Sequence, residues 1–238
     1  MTHPASNTLA PPASGQVCTL FAVDIAEFTR PDRDDDIRMF MREELYRTLE
    51  RAFDGSGIRW TACFREDRGD GVLVVLPPGI APTGIIDPLP ERLHSLIRRH
   101  NHVSCVAAHI QLRAAVHLGP VDYDGHGFVG TSVDFLFRML DARPLRKTLA
   151  STGADLALIV SDYIYRNIVS CHPCLVSPAA FCPVRFQVKS TRARAWTYLP
   201  GAPPSPTAAR LVPRNNVLSG STAKRMAVNG ALPPSAIQ

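Results

Sequence analysis

Phe21-Ala22-Val23-Asp24-Ile25-Ala26-Glu27-Phe28-Thr29, and then Arg65-Glu66-Asp67-Arg68-Gly69-Asp70-Gly71 leading into Val72-Leu73-Val74-Val75-Leu76, are the two stretches on which this 238-residue chain turns. Each sets one aspartate at the end or turn of an apolar, β-prone run, where a carboxylate can project while its backbone stays anchored in a sheet. Two such carboxylates on neighbouring strands suit hard divalent cations, which prefer oxygen ligands. Taken singly, each stretch has an ordinary reading, because an Asp-Gly pair is a common hairpin turn.

The residues after Asp24 fit phosphate chemistry. Pro31 to Asp36 ends in three acids and opens an amphipathic segment. Backbone amides near such a helix start favour anions, and Thr29 adds a hydroxyl. A third stretch follows: Arg113-Ala-Ala-Val-His117-Leu-Gly119-Pro-Val121, then Asp124-Gly125-His126-Gly127-Phe128-Val129-Gly130-Thr-Ser-Val133-Asp134-Phe-Leu-Phe-Arg138.

In that order the three stretches resemble the catalytic domain of the class III nucleotide cyclases, the adenylate and guanylate cyclase family. The resemblance runs from about Cys18 to Leu199. Asp24 to Thr29 matches the D-[IL]-x-x-F-[ST] portion of the family's F-x-D-[IL]-x-x-F-[ST], with Phe21 one residue further from Asp24 than the family's phenylalanine; Gly69-Asp70 matches its hairpin G-D, and Gly130-x-x-Val133-Asp134-x-x-x-Arg138 is similar to its G-x-x-V-N-x-x-x-R helix. The resemblance implies two divalent cations, Mg or Mn, at Asp24 and Asp70 with Ile25 beside them. It implies substrate contacts from Phe28 and Thr29, and a transition-state arginine, Arg138. It also implies a ribose-holding asparagine, and here that position is Asp134. A carboxylate about 4 Å from a phosphate charge costs roughly 4 kcal/mol at an effective dielectric of about 20, on the order of a thousandfold in rate. Against that, Asp134 can accept a ribose hydrogen bond, and Arg138 one turn away can neutralise it.

The family's base-contacting position, three before the hairpin glycine, is Glu66 here, and its partner position is Gly127, which has no side chain. A carboxylate accepts from guanine N–H groups better than it serves adenine's bare N1, so GTP is favoured, with ATP, UTP and CTP open. The alternative for Glu66 is a solvated charge within Arg65-Glu66-Asp67-Arg68. The resemblance further implies a head-to-tail homodimer, one subunit supplying the metal aspartates and the other the base, ribose and arginine contacts.

Composition agrees with one core-forming domain: 45% of residues are hydrophobic. The net charge of +5 owes four charges to Arg210, Arg214, Lys224 and Arg225, in a stretch from Gly201 without an acid. The body is therefore near neutral, and nucleic-acid binding is not expected. Residues 1–17 and the Pro/Ala-rich residues 201–238 read as flexible tails flanking a domain over 18–200. With no signal-peptide pattern and no apolar run of membrane-spanning length, the expected location is the cytoplasm.

The element pattern predicts an α+β sandwich, a ferredoxin-like βαββαβ palm with extra C-terminal αβ elements. Strands are expected over Cys18–Ala26, Trp60–Arg65, Val72–Leu76, Ile110–Tyr123, Leu156–Val160, Val184–Val188 and Ala195–Leu199. Helices are expected on the stripe Ile37, Met41, Leu45, Leu49, Phe53, and over Pro90–Asn101, Ser132–Leu140 and Asp162–Val169. Cys18, Cys63 and Cys105 read as small core residues. Cys171-His172-Pro173-Cys174 with Cys182 is half of a zinc pattern, set against an ordinary loop. Strand alternation points His117 towards the cleft, or into the sheet as a satisfied core histidine.

Three functions fit: an active nucleotidyl cyclase, a cyclase-like module that binds a nucleotide or partner without turnover, and, more distantly, another palm-fold nucleotidyltransferase such as a diguanylate cyclase, whose Gly-Gly-acidic hairpin is missing.

Overall fold

The computed structural model describes residues 10–172 and 176–202. Its centre is a sheet built from β1 (Gln16–Ile25), β2 (Phe64–Asp67), β3 (Gly71–Val75) and β4 (Leu112–Tyr123). β1 leads into α1 (Asp35–Gly55), and the β2–β3 hairpin is followed by a short α2 (Thr83–Ile86) and then α3 (Leu89–Val103). The order β4-β1-β3-β2, antiparallel at each step, with α1 and α3 as the two crossovers, is the ferredoxin-like βαββαβ unit.

The chain then extends this unit. The two-residue β5 (Phe128–Val129) folds back on β4, and α4 (Thr131–Leu140) and α5 (Arg143–Thr152) follow. β6 (Leu156–Ser161) joins β4 in parallel, a three-residue α6 (Asp162–Ile164) runs into a π turn, and β7 (Cys182–Val188) and β8 (Thr191–Tyr198) complete the eight-stranded sheet β2-β3-β1-β4-β6-β8-β7 with β5 beside β4.

Both sheet faces are covered, and strand alternation decides which residue goes to which. Phe21, Val23 and Ile25 of β1, Val72 and Val74 of β3, and Ala114 and Val116 of β4 pack under α1 and α3. Their neighbours Leu20, Ala22, Leu73, Val75 and Ala115 pack under α4 and α5. The four-residue stripe Met41, Leu45, Leu49 and Phe53 is fully buried, each side chain contributing roughly 1.5–3 kcal/mol by its removal from water. Ile37, at the helix start, is only partly buried. Asp34 caps α1 by accepting from the Ile37 N–H at 2.9 Å, and Asp35 and Asp36 occupy the first turn, as the acidic run predicted.

Several expectations need correction. β1 starts at Gln16, ahead of Cys18, and the turn before it is tied down: Ser14 Oγ and Gly15 N both donate to Asp122 Oδ1, at 2.5 and 2.9 Å. Trp60–Ala62 forms a 3-10 turn, not a strand, because Asp54 Oδ1 accepts from the Trp60 N–H at 2.8 Å and the ring packs edge-on to Phe53. α2, β5 and α5 had no counterpart in the sequence pattern. The expected helix at Asp162–Val169 divides into a short α turn and the π turn Tyr165–Val169. Cys18 and Cys63 are buried, whereas Cys105 is exposed, since it lies in the connection between α3 and β4. Cys174 and most of both predicted tails fall outside the described residues.

Candidate functional site

Asp24 stands at the end of β1, with Gly71 of β3 on one side and Arg113 of β4 on the other. Alternation turns its side chain to the α4 face, where it is 9% exposed. The close approach at Gly71 explains that glycine: a Cβ there would lie 2.2 Å from the Val23 carbonyl oxygen. Arg113, on the same face, holds the carboxylate with both hands, its Nε donating to Oδ1 at 2.8 Å and its Nη2 to Oδ2 at 2.7 Å. Burial pushes Asp24 up to about 6; Arg113 opposes this, while the charges of Asp70 and Asp141 add to it.

Asp70 is brought to this point by the hairpin turn Arg68-Gly69-Asp70-Gly71, closed by Arg68 N–H to the Gly71 carbonyl at 2.9 Å. Gly69 takes a positive φ of 83°, and Asp67 Oδ1 accepts from its N–H at 2.7 Å. The Ile25 N–H donates to the Asp70 carbonyl at 2.9 Å, which stitches the hairpin turn to the end of β1. Asp24, Ile25 and Asp70 therefore meet at one corner of the sheet.

The following turn carries Phe28 and Thr29, before α1 rather than on it. Phe28 packs partly buried against the α1/α3 core, and Thr29 is exposed. Arg33, only 4% exposed, clamps this turn from below: it donates to the carbonyls of Ala26 at 3.3 Å, Glu27 at 2.8 Å, Ala107 at 3.0 Å and His109 at 2.9 Å. Its direct partners here are these four carbonyls; burial, with the Arg30 charge, lowers its pKa from the usual arginine value, and the Asp32 and Glu27 carboxylates oppose this.

Glu66 and Gly127 come together at a second corner, on the same sheet face. Glu66 Oε1 accepts from the Phe128 N–H, and a Cβ on Gly127 would lie 2.9 Å from that oxygen. The side-chain-free position is thus the space into which Glu66 docks. Arg68 pairs with Glu66 Oε2 at 2.5 Å and lies over the Phe137 ring of α4 at 4.9 Å. A cavity of about 870 Å³ opens here, lined by Glu66, Arg68, Tyr123, His126, Gly127 and Phe128 among others, a size that accepts a nucleobase. The solvated-charge reading of Glu66 is therefore set aside: its carboxylate is built into the β2–β5 contact.

On α4, Asp134 and Arg138 share a face, with Arg138 Nη2 3.8 Å from Asp134 Oδ2 and Arg138 Nη1 2.5 Å from Thr191 Oγ1 of β8. The Asp134 side chain is 70% exposed. The pairing expected from the one-turn spacing is present. His117 lies on this face too, its ring 4.9 Å from Phe135; its buried Nδ1 has no hydrogen-bond partner among the described residues, and burial pushes the imidazole pKa down to about 4.

The donor set at the Asp24 corner fits hard cations. Magnesium is held typically by one or two carboxylates together with substrate phosphates, so a third protein carboxylate is not required; among the described residues no cluster of three or more His, Cys, Asp or Glu forms. Arg113, Arg33 and Asp141 had no site role in the sequence reading. Arg113 was in view as part of a strand, but only the β1–β4 register shows that it faces Asp24.

No protein-family model matches the sequence, and no curated protein matches it. Solved structures do. An adenylate/guanylate cyclase/hydrolase from Silicibacter pomeroyi aligns with a TM-score of 0.56 at 17% identity, over 78% of this chain and 97% of that one. A dimeric guanylyl cyclase domain of the RhoGC fusion protein from Blastocladiella emersonii aligns at 0.51 and 18% identity, over 77% and 96%. The guanylate cyclase domain of RhGC from Catenaria anguillulae, in complex with GTP, aligns at 0.50 and 18% identity, over 77% and 96%. The chain has the fold of the class III nucleotide cyclase catalytic domains.

Proposed function

We propose that the protein is a nucleotidyl cyclase, converting a nucleoside triphosphate to a 3′,5′-cyclic nucleotide and pyrophosphate. The observation that carries this reading is the meeting of Asp24, Ile25 and Asp70 at one sheet corner while Glu66, Gly127, Asp134 and Arg138 occupy separate positions on the same face. Such a division suits a head-to-tail homodimer, in which the first group of one subunit faces the second group of its partner across a composite site.

Divalent cations, Mg or Mn, held by Asp24, Asp70 and the Ile25 backbone would neutralise the phosphates and ease ionisation of the 3′-hydroxyl. The turn at Phe28 and Thr29 offers backbone amides and a hydroxyl to the phosphates. Glu66 accepts from the base, which favours GTP. Arg138 steadies charge on the α-phosphate as the 3′-oxygen bonds to phosphorus, its proton departs, and the bond to pyrophosphate breaks. Asp134 accepts from a ribose hydroxyl, its charge offset by Arg138.

One observation favours a second reading, a nucleotide-binding or partner-binding module without turnover: Asp24 is engaged at both oxygens by Arg113, and Glu66 by Arg68 and the Phe128 N–H. Incubation with ATP, GTP, UTP and CTP plus Mg or Mn, with chromatography and mass spectrometry of products and Asp24→Ala in parallel, separates the two. A cyclic product missing from the variant supports the cyclase; a triphosphate that raises the melting temperature but survives intact supports the module.

A further inference from the structure

On the far side of the sheet, α1 and α3 enclose a cleft of about 570 Å³ that the cyclase reading leaves unused. Its floor is a buried polar set. Glu44 is 7%, Thr48 2% and His100 6% exposed. His100 Nε2 lies 3.0 Å from the Ala108 carbonyl, Thr48 donates to Glu44 at 3.3 Å, and Arg47 pairs with the other Glu44 oxygen. Its walls are apolar: Ile37, Phe40, Leu96 and Val103, with the Phe40 ring 5.7 Å from His100. At the mouth stand Arg51 of α1 and Arg99 of α3, both exposed and neither with an ion-pair partner among the described residues. Asp36 is the one other carboxylate in the lining, in the first turn of α1.

A cleft of drug-like volume, with apolar walls and a few convergent polar groups, has the make-up of a ligand site. With Glu44 already satisfied by Arg47, the unspent charge is the pair of guanidiniums, one from each helix, which suits a carboxylate gripped through fork geometry. We propose that this cleft binds a small amphipathic carboxylate, an aromatic or branched apolar body with one anionic group, and that it communicates with the turn after β1. The link is physical: the wall segment Ser104 to Ala108 is fastened by Arg33, through the carbonyls of Ala107 and His109, to the carbonyls of Ala26 and Glu27. A ligand that moves that wall shifts the Phe28–Thr29 turn, and the coupling is reciprocal.

The test needs no nucleotide turnover, so it stands or falls apart from the cyclase reading. The full chain, isotopically labelled, is titrated with 3-phenylpropionate and with the neutral 3-phenylpropionamide while backbone amide shifts are followed. We expect saturable shifts along α1 and α3 and in Glu27 to Thr29 with the acid, with binding about tenfold or more weaker for the amide and for Arg51→Ala/Arg99→Ala. Arg33→Lys should keep the α1 and α3 shifts and lose those at Glu27 to Thr29. No saturable response to the acid, equal response to acid and amide, shifts elsewhere, or undiminished binding in the double variant overturns the site. Concentration-dependent self-association that blocks the probe would assign the cleft to a second copy of the chain instead, and also overturn it. Should Arg33→Lys not fold, a cleft-filling Leu96→Trp must abolish both sets of shifts; persistence of the turn shifts refutes the coupling.

Discussion

Asp24 and Arg113 face each other across the β1–β4 ladder, and the guanidinium holds both carboxylate oxygens, at 2.8 and 2.7 Å. The pair lies mostly out of water, with side-chain exposures of 13% and 15%. Under the proposed metal role, a cation entering this corner would have to share Asp24 with Arg113.

Breaking one side of a buried pair strands the other charge, at a cost of about 3 kcal/mol, whereas removing both is far cheaper. Arg113→Met should therefore lower the unfolding free energy by about that much, and Asp24→Leu/Arg113→Met should recover most of it. Urea titration of the single and double variants measures the coupling; additive losses would refute a buried pair that matters to stability.

On the proposed mechanism, Asp24→Ala and Asp70→Ala should each reduce cyclic product by at least about a thousandfold, since each would remove a charged oxygen ligand worth several kcal/mol at the transition state. Asp134→Asn should preserve or raise turnover. Unchanged rates in either alanine variant, in protein shown to be folded, would sink the two-metal reading.

Glu66→Lys should move the nucleotide ranking towards ATP if the carboxylate reads the base. Because Glu66 also accepts from the Phe128 N–H, the variant should be checked for a native circular dichroism spectrum first. An unaltered ranking in a folded variant confines Glu66 to holding β5.

Gly71→Ala should unfold the domain or cost more than about 3 kcal/mol, because its Cβ would collide with the Val23 carbonyl at 2.2 Å at the hairpin end of the β1–β3 ladder. Gly125→Ala, where nothing lies within 4 Å but φ is 90°, should cost less, of order 1 kcal/mol. Thermal melts of the two variants decide it.

His117 predicts a pH dependence of stability. Its folded value of about 4 lies below the ordinary 6.5, so between those values the unfolded chain binds the extra proton. Stability present above pH 6.5 is then lost as the pH falls towards 4, by up to about 3 kcal/mol. His117→Leu should flatten the curve over that window, measured by denaturant titration at several pH values.

The central runs of the strands, the long α1 stripe and the acidic cap at Asp34 were legible because each is a local pattern: alternation, a four-residue repeat, a side chain that reaches its own backbone three residues on. The same holds for Asp134 and Arg138, one helical turn apart. α2 and β5 carry too few residues to announce themselves, α5 turns only Leu145 and Leu149 inward, and the 3-10 turn at Trp60 forms because Phe53 and Asp54, from α1, claim its ring and its N–H.

By itself, then, the sequence determined the order of the principal strands and helices and which residue types could meet phosphate and metal, since these follow from periodicity and from motif spacing along one chain. Only the tertiary structure decided the partnerships: Arg113 on Asp24, Glu66 in the space above Gly127, Arg33 under the turn at Glu27. The first two join residues far apart in the chain through strand register, and Arg33 ties the turn to Ala107 and His109 across the fold; a one-residue slip of register would have turned Asp24, Arg113 and Glu66 to the opposite face.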